Sequence, residues 1–136
     1  MQRGQIDLAI GGFDQPAAPG DHEPLFCDDY VLVGRRGHPR LDAPLTLDAF
    51  WTLAFVAVCR ASVPSGRAYP LNAALNNRGL VSAVVPDHLT AFIVASTTAA
   101  VVIAPTRLAE YYTCRLDLCC RRIPFAVPPL VIAAVR

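Results

Sequence analysis

The 136-residue chain is 54% hydrophobic and 17% charged, a balance that supports a packed core and excludes a disordered tail. Its length suits one domain able to bury roughly two-thirds of its unfolded surface. Twelve basic and eleven acidic residues are interspersed, for a net charge of +1. That excludes the clustered Lys/Arg stripe that tight DNA binding needs, so any DNA contact must lie elsewhere.

In chain order, Ile6 to Ile10 is a short apolar run closed by Gly11 and Gly12, which predicts a strand ending in a loop. The stretch 13–24, rich in Pro, Ala, Gly and Asp, reads as a connector. Tyr30 to Val33 predicts a second strand, stopped by Gly34 and the basic turn 35–40. Thr46 is placed to cap a short helix through Trp51. Phe55 to Val58 predicts a third strand, followed by a polar loop over 59–66. A helix begins near Tyr69, with Pro70 in its first turn and Gly79 at its C-terminal cap.

Leu80 to Val85 predicts a fourth strand, halted by Pro86. Asp87 caps the next helix, in which Leu89, Phe92 and Ile93 recur at three-four spacing. Ala100 to Ala104 predicts a fifth strand, and Thr106 caps a helix through Tyr112. Leu118 to Ile123 and Leu130 to Val135 close the chain as strands. Strands alternating with helices predict an α/β fold with a mostly parallel sheet covered on both faces. A chain that begins and ends on strands is expected to be a fragment of a larger unit.

Five cysteines, Cys27, Cys59, Cys114, Cys119 and Cys120, form no paired framework. With no signal-peptide pattern at the start, a reducing cytoplasm is expected. The most apolar stretch, 91–104, is broken by Ser96, Thr97 and Thr98. It is also shorter than the ~20 residues of a membrane-crossing helix, so no membrane is expected.

Enzyme chemistry finds little support. The run Val63-Pro64-Ser65-Gly66 lacks the first glycine of a nucleophile elbow. Asp87 and His88 are neighbours on a helix and point in different directions. His22, His38 and His88 have no metal-ligand spacing, and no glycine loop cradles a phosphate. Neither a catalytic residue, a metal nor a cofactor is expected. The densest basic cluster, Arg35, Arg36, His38 and Arg40, is expected to be a solvated turn rather than a phosphate site.

Several runs, taken in order, resemble the effector-binding domain of LysR-type transcriptional regulators. They are Gly4-Gln5-Ile6-Asp7-Leu8-Ala9-Ile10, then Leu25-Phe26, Asp29 to Val33 and Gly37-His38-Pro39. Leu45 to Asp48, Pro105-Thr106-Arg107-Leu108-Ala109 and the final Pro124 to Val135 continue the match. Nearly the whole chain is covered.

The resemblance implies a periplasmic-binding-protein-like α/β fold of two subdomains with mixed, mostly parallel sheets, one of them incomplete. It divides the chain into 1–27, the end of the first subdomain and a connector; 28–117, the second subdomain; and 118–136, the return crossover and a strand of the first. It also implies a small organic effector, a carboxylate or aromatic metabolite, held in a cleft. Homo-oligomers are implied, with helix 69–77 as the expected surface, and DNA is contacted only through a helix-turn-helix absent from this chain. The alternative is a free-standing or truncated solute-binding-like module with no DNA role.

Effector ligands in such folds are held by loops at strand ends and by helix N-termini. The resemblance therefore points to Gly11, Gly12 and Phe13, to Arg60, Ala61 and Ser62, and to Ser96, Thr97 and Thr98. Arg60 suits a bidentate contact with a carboxylate. For Ser96 to Thr98 the competing reading is capping of a helix C-terminus, and for Arg60 a solvated loop.

Overall fold

Eight strands and four helices alternate along the described residues of the computed structural model, which are 7–12, 22–59 and 70–136. They are β1 (Ala9–Gly12), β2 (His22–Asp28), β3 (Tyr30–Arg35), α1 (Leu47–Phe50), β4 (Phe55–Val58), α2 (Pro70–Asn77), β5 (Val81–Val85), α3 (His88–Thr97), β6 (Val102–Pro105), α4 (Thr106–Thr113), β7 (Leu118–Arg121) and β8 (Leu130–Val135). Two compact units form: Met1–Asp29 with Pro128–Arg136, and Tyr30–Val127. The second includes residues 118–127, which the family resemblance assigns to the return crossover, because β7 pairs with β3.

In the larger unit β4 and β5 pair in parallel, and a parallel bridge joins Phe55 to Val101 just before β6. β3 pairs antiparallel with both β6 and β7. Strands β4, β5, β6 and β7 therefore all run one way, and β3 alone runs against them. The fold is α/β with mixed sheets, but the expected predominance of parallel pairing fails, since β4–β5 is the one parallel ladder among the described strands. A helical crossover brings the next strand round parallel. β3 follows β2 after a single intervening residue and takes the place between β6 and β7, so both its ladders are antiparallel.

Because successive side chains of a strand point to opposite faces, this sheet supports two cores. Val33, Val56, Val58, Val102, Ala104 and Leu118 pack against Ala91, Phe92 and Ala95 of α3 and Ala109 of α4. Leu32, Phe55 and Val101 pack on the other face with Phe50 of α1, Leu75 of α2, Leu41 and Leu53. Cys119 and Cys120 follow the same alternation, each packing against a different core.

The helix ends follow from local chemistry. Thr46 Oγ1 accepts from the Ala49 amide at 3.2 Å and caps α1. Asp87 Oδ1 accepts from the Thr90 amide at 2.8 Å and Oδ2 from the Thr90 hydroxyl at 3.0 Å. These bonds, the amide first, hold the Asp87 carboxyl below its ordinary range. Gly79, at φ +68°, takes the left-handed position beyond α2. The expected cap at Thr106 is corrected: α4 starts at Thr106 and its N-cap is Pro105, which makes no side-chain cap bond. β6 extends to Pro105 to pair with Tyr30, so the chain turns into the helix with no residue to spare.

The basic turn departs from the expected solvated turn at His38 alone, since Arg36 and Arg40 are exposed even where they bond to neighbouring groups. His38 is 2% exposed. Its Nδ1 accepts from the Arg40 amide at 3.1 Å, which leaves Nε2–H to donate to the Ala99 carbonyl at 2.8 Å. Arg40 donates to the Thr52 carbonyl and hydroxyl, and Arg36 pairs with Asp117 at 3.2 Å.

In the smaller unit β8 lies between β1 and β2, antiparallel to both. Gly11 and Gly12 belong to β1 rather than to a following loop, because β8 offers them partners at Ala133 and Ile132. Likewise the expected connector 13–24 ends early: 22–24 already belong to β2, paired with β8. Residues 13–21 lie outside the described residues.

Candidate functional site

The path of the chain through the larger sheet selects one edge. From β4 it passes through α2 to β5 on one side, then through α3 back across to β6 on the other side of β4. Strand order reverses at β4, and helices following strands on either side of such a point cover opposite faces. Leu75 of α2 packs in one core and Ala109 of α4 in the other. Open α/β sheets bind ligands outside the carboxyl ends of their strands at such a switch point.

Here β4 and β6 also part along their length. Val56 N donates to Val101 O and Val101 N to Ala54 O, each at 2.9 Å. Phe55–Val101 is an isolated bridge. Among the described residues no ladder joins the two strands beyond it, and β6 continues in register with β3. On its other edge β4 stays paired to the end, with the Cys59 amide donating to Val85 O at 2.9 Å. The last carbonyl of β4, at Val58, accepts instead from Asn72 Nδ2 at 3.1 Å, a bond reaching out of the first turn of α2. A side-chain amide thus satisfies a strand carbonyl where two strands have separated.

The residues at this carboxyl edge are the half-buried Cys59 and Asn72, Asp87 at the N-terminus of α3, and Thr106 at the start of α4. Asp87 brings a carboxylate already committed to capping. Such an edge can hold a small ligand by backbone amides and neutral hydrogen-bonding groups. Among the described residues, no group of three or more His, Cys, Asp or Glu side chains could hold a metal ion.

The residues singled out from the sequence are scattered by this topology. Arg60, Ala61 and Ser62 directly follow Cys59 in the chain but, like Phe13, lie outside the described residues. Gly11 and Gly12 are strand residues of the smaller unit. Ser96 and Thr97 end α3, and Thr98 is its C-cap. Their hydroxyls donate to helix carbonyls: Ser96 to Ile93 O at 2.7 Å, Thr97 to Ile93 O at 3.2 Å, Thr98 to Val94 O at 2.8 Å. They precede β6, whereas Cys59 follows the parallel β4, so they occupy the opposite edge of the sheet. Asn72 was missed, because nothing in the sequence tells which strand end α2 faces.

The chain is similar to transcriptional regulators along almost its whole length. The HTH-type transcriptional regulator SyrM of Rhizobium meliloti (strain 1021) is 29% identical over 140 residues, which cover 99% of this chain and 42% of SyrM. A solved structure of a probable transcriptional regulator from Pseudomonas aeruginosa matches with a TM-score of 0.80 at 30% identity, over 96% of this chain and 45% of that one. CbnR, a LysR family transcriptional regulator, matches with a TM-score of 0.73 at 19% identity, over 98% and 47% of the two chains. The effector binding domain of QuiR, solved in complex with shikimate, matches at 0.67 and 17% identity, over 98% and 64%. These last two show the fold. The chain spans less than half the length of SyrM and of the Pseudomonas aeruginosa regulator. No protein-family model matches it.

Proposed function

We propose, on the premise that this chain is built as a LysR-type effector-binding domain, that it senses a small organic effector on behalf of a DNA-binding transcriptional regulator. The observation that carries this reading is the parting of β4 from β6 at the switch point, where a ligand can reach the carboxyl ends of both strands. The effector class is a carboxylate or an aromatic metabolite. Arg60, one residue beyond Cys59, takes the carboxylate in a bidentate contact, and Ala61 and Ser62 offer backbone and hydroxyl donors.

DNA is contacted by a helix-turn-helix that is not part of these 136 residues. The regulator works in the cytoplasm as a homo-oligomer. No described helix is long and apolar enough to cross a membrane. It is not an enzyme. Of its three histidines, His38 is taken up by Ala99 and Arg40. Effector binding acts by favouring one arrangement of the regulator, by as much as its affinity differs between the arrangements.

The test is thermal unfolding of the chain against a panel of small acids that includes shikimate and benzoate. A bound effector at a hundred times its Kd adds about 2.7 kcal/mol of stability, and the shift saturates with concentration. Arg60→Ala lowers the affinity for the responding acid. A panel that leaves the melting temperature unchanged throughout rejects the sensing role.

A further inference from the structure

α2 is pinned by side chains at both ends, and the two pins differ in chemistry. At its first turn Asn72 donates to Val58 O, at the edge where β4 parts from β6. Just beyond its last turn, the Arg78 guanidinium carbon lies 4.0 Å from the ring centroid of Trp51. Trp51 stacks on Phe125 with centroids 5.8 Å apart and planes 6° from parallel. Phe50 meets both rings edge-on at 5.0 Å. Phe125 belongs to the stretch between β7 and β8, two residues before the larger unit ends at Val127.

An eight-residue helix is about two turns, held by its own hydrogen bonds. It has no room to absorb a displacement of its first turn, which must reappear at its last. Gly79, at φ +68°, and the Leu80 amide, bonded to Leu75 O at 3.1 Å, close the helix tightly, so Arg78 moves with it.

We propose that α2 is a relay from the carboxyl edge of β4 to the return segment of the chain, running from Asn72 through Arg78 and Trp51 to Phe125. Occupancy of that edge displaces the Val58 carbonyl, Asn72 follows it, and the Arg78–Trp51–Phe125 stack slides. The segment leading into β8 is then the part that feels the change. The functional meaning of the relay rests on the edge being the effector site, but the relay itself can be tested without an effector.

Trp51 is the one tryptophan of the sequence, so its fluorescence reports on the far pin alone. In the whole chain, Asn72→Ala should shift the emission of Trp51 and raise its quenching by acrylamide. In an Arg78→Ala background the same change should leave Trp51 unmoved. If Trp51 responds equally there, the signal travels instead through Phe55 and Phe50, whose rings are 5.1 Å apart, and the relay is wrong. If Asn72→Ala alone leaves Trp51 as it was, the relay is also wrong.

Should Asn72→Ala fail to fold, Asn72→Asp keeps the shape, removes the donor and serves in its place. Coupling must also run backwards. Phe125→Leu should speed hydrogen exchange of the Cys59 amide, and unchanged exchange rejects the relay. A chain whose Trp51 answers to Asn72 but which binds no acid keeps the relay and loses the sensing role. A chain that binds an acid while Trp51 stays silent loses the relay alone.

Discussion

The two units share a strand arrangement and differ in what covers it. In each, one strand lies between two neighbours that run against it, β3 between β6 and β7 and β8 between β1 and β2. The larger sheet has α1 and α2 on one face and α3 and α4 on the other, and Phe50, Phe55, Phe92 and Leu32 are fully buried. The smaller unit presents three strands and no helix among the described residues. There Ile10 is 63% exposed and Leu8 50% exposed, and the buried apolar residues are Ala133, Ala134 and Val135, with no aromatic, Leu or Ile among them in the described residues. Pairing of backbones needs only extended chain. Burial of large side chains needs a second layer, and in this molecule the helical crossovers supply it.

Truncating one large apolar side chain in each unit gives the sharpest contrast. Phe92→Ala, which empties a site between α3 and the sheet, should cost about 3–5 kcal/mol in urea unfolding. Ile10→Ala removes a side chain that is mostly in water and should stay within about 0.5 kcal/mol. If Ile10→Ala destabilises as much as Phe92→Ala, the smaller unit has a core that its exposures conceal.

Two glycines sharpen the contrast at a smaller scale. A Cβ on Gly34 of β3 would come 2.5 Å from Leu41 Cδ1 and 3.3 Å from Val101 Cγ1, both buried. Gly34→Ala should therefore destabilise by about 1–3 kcal/mol through overpacking. A Cβ on Gly12 of β1 would meet Leu130 Cδ1 at 2.8 Å, but that is the far end of a partly exposed, flexible side chain. Gly12→Ala should cost clearly less, because Leu130 can rotate away. Equal costs in the two variants would show that Leu130 is as confined as Leu41.

The same division explains what could be read from the sequence. Phe55 to Val58 and Leu130 to Val135 form strands with the expected bounds, because short apolar runs between turn residues are local signals. The caps at Thr46 and Asp87 are local too. β2 was hidden, since His22 to Asp28 contains Pro24 and most of its side chains face water. Its pairing with β8 is a distant one, with a register shift between Pro24 and Phe26. His38 looked like a turn residue because its partner, the Ala99 carbonyl, is 61 residues away.

The candidate site was legible only in part, for the same reason. Which loops adjoin strands can be read locally, and so Arg60 to Ser62 and Ser96 to Thr98 were both singled out. Which end of the sheet a loop reaches depends on strand direction, and that separates Thr98, before β6, from Cys59, after β4.

Thiol reactivity gives the smallest effect and carries a sign in pH. Cys27 of β2, in the smaller unit, is exposed, whereas Cys120 of β7 is half-buried against the core beneath α4. Burial pushes the Cys120 thiol above its ordinary value, and the neighbouring Cys119 and Glu110 push it the same way, against a lesser opposing pull from Arg121. A raised thiol is protonated at neutral pH, and the thiolate is the form that reacts. Iodoacetamide should therefore label Cys27 well before Cys120 at neutral pH, followed by mass spectrometry of the peptides. As pH rises toward the raised value, the Cys120 thiolate fraction grows and its labelling should accelerate. Because the folded state disfavours this thiolate, the same rise in pH should also withdraw the stability that the protonated thiol leaves intact, and Cys120→Ala should lose that alkaline sensitivity. A Cys120 that labels as fast as Cys27 at neutral pH would mean that the cover over β7 opens as readily as the bare face of β2, and the contrast between the two units would not extend to the edge of the larger sheet.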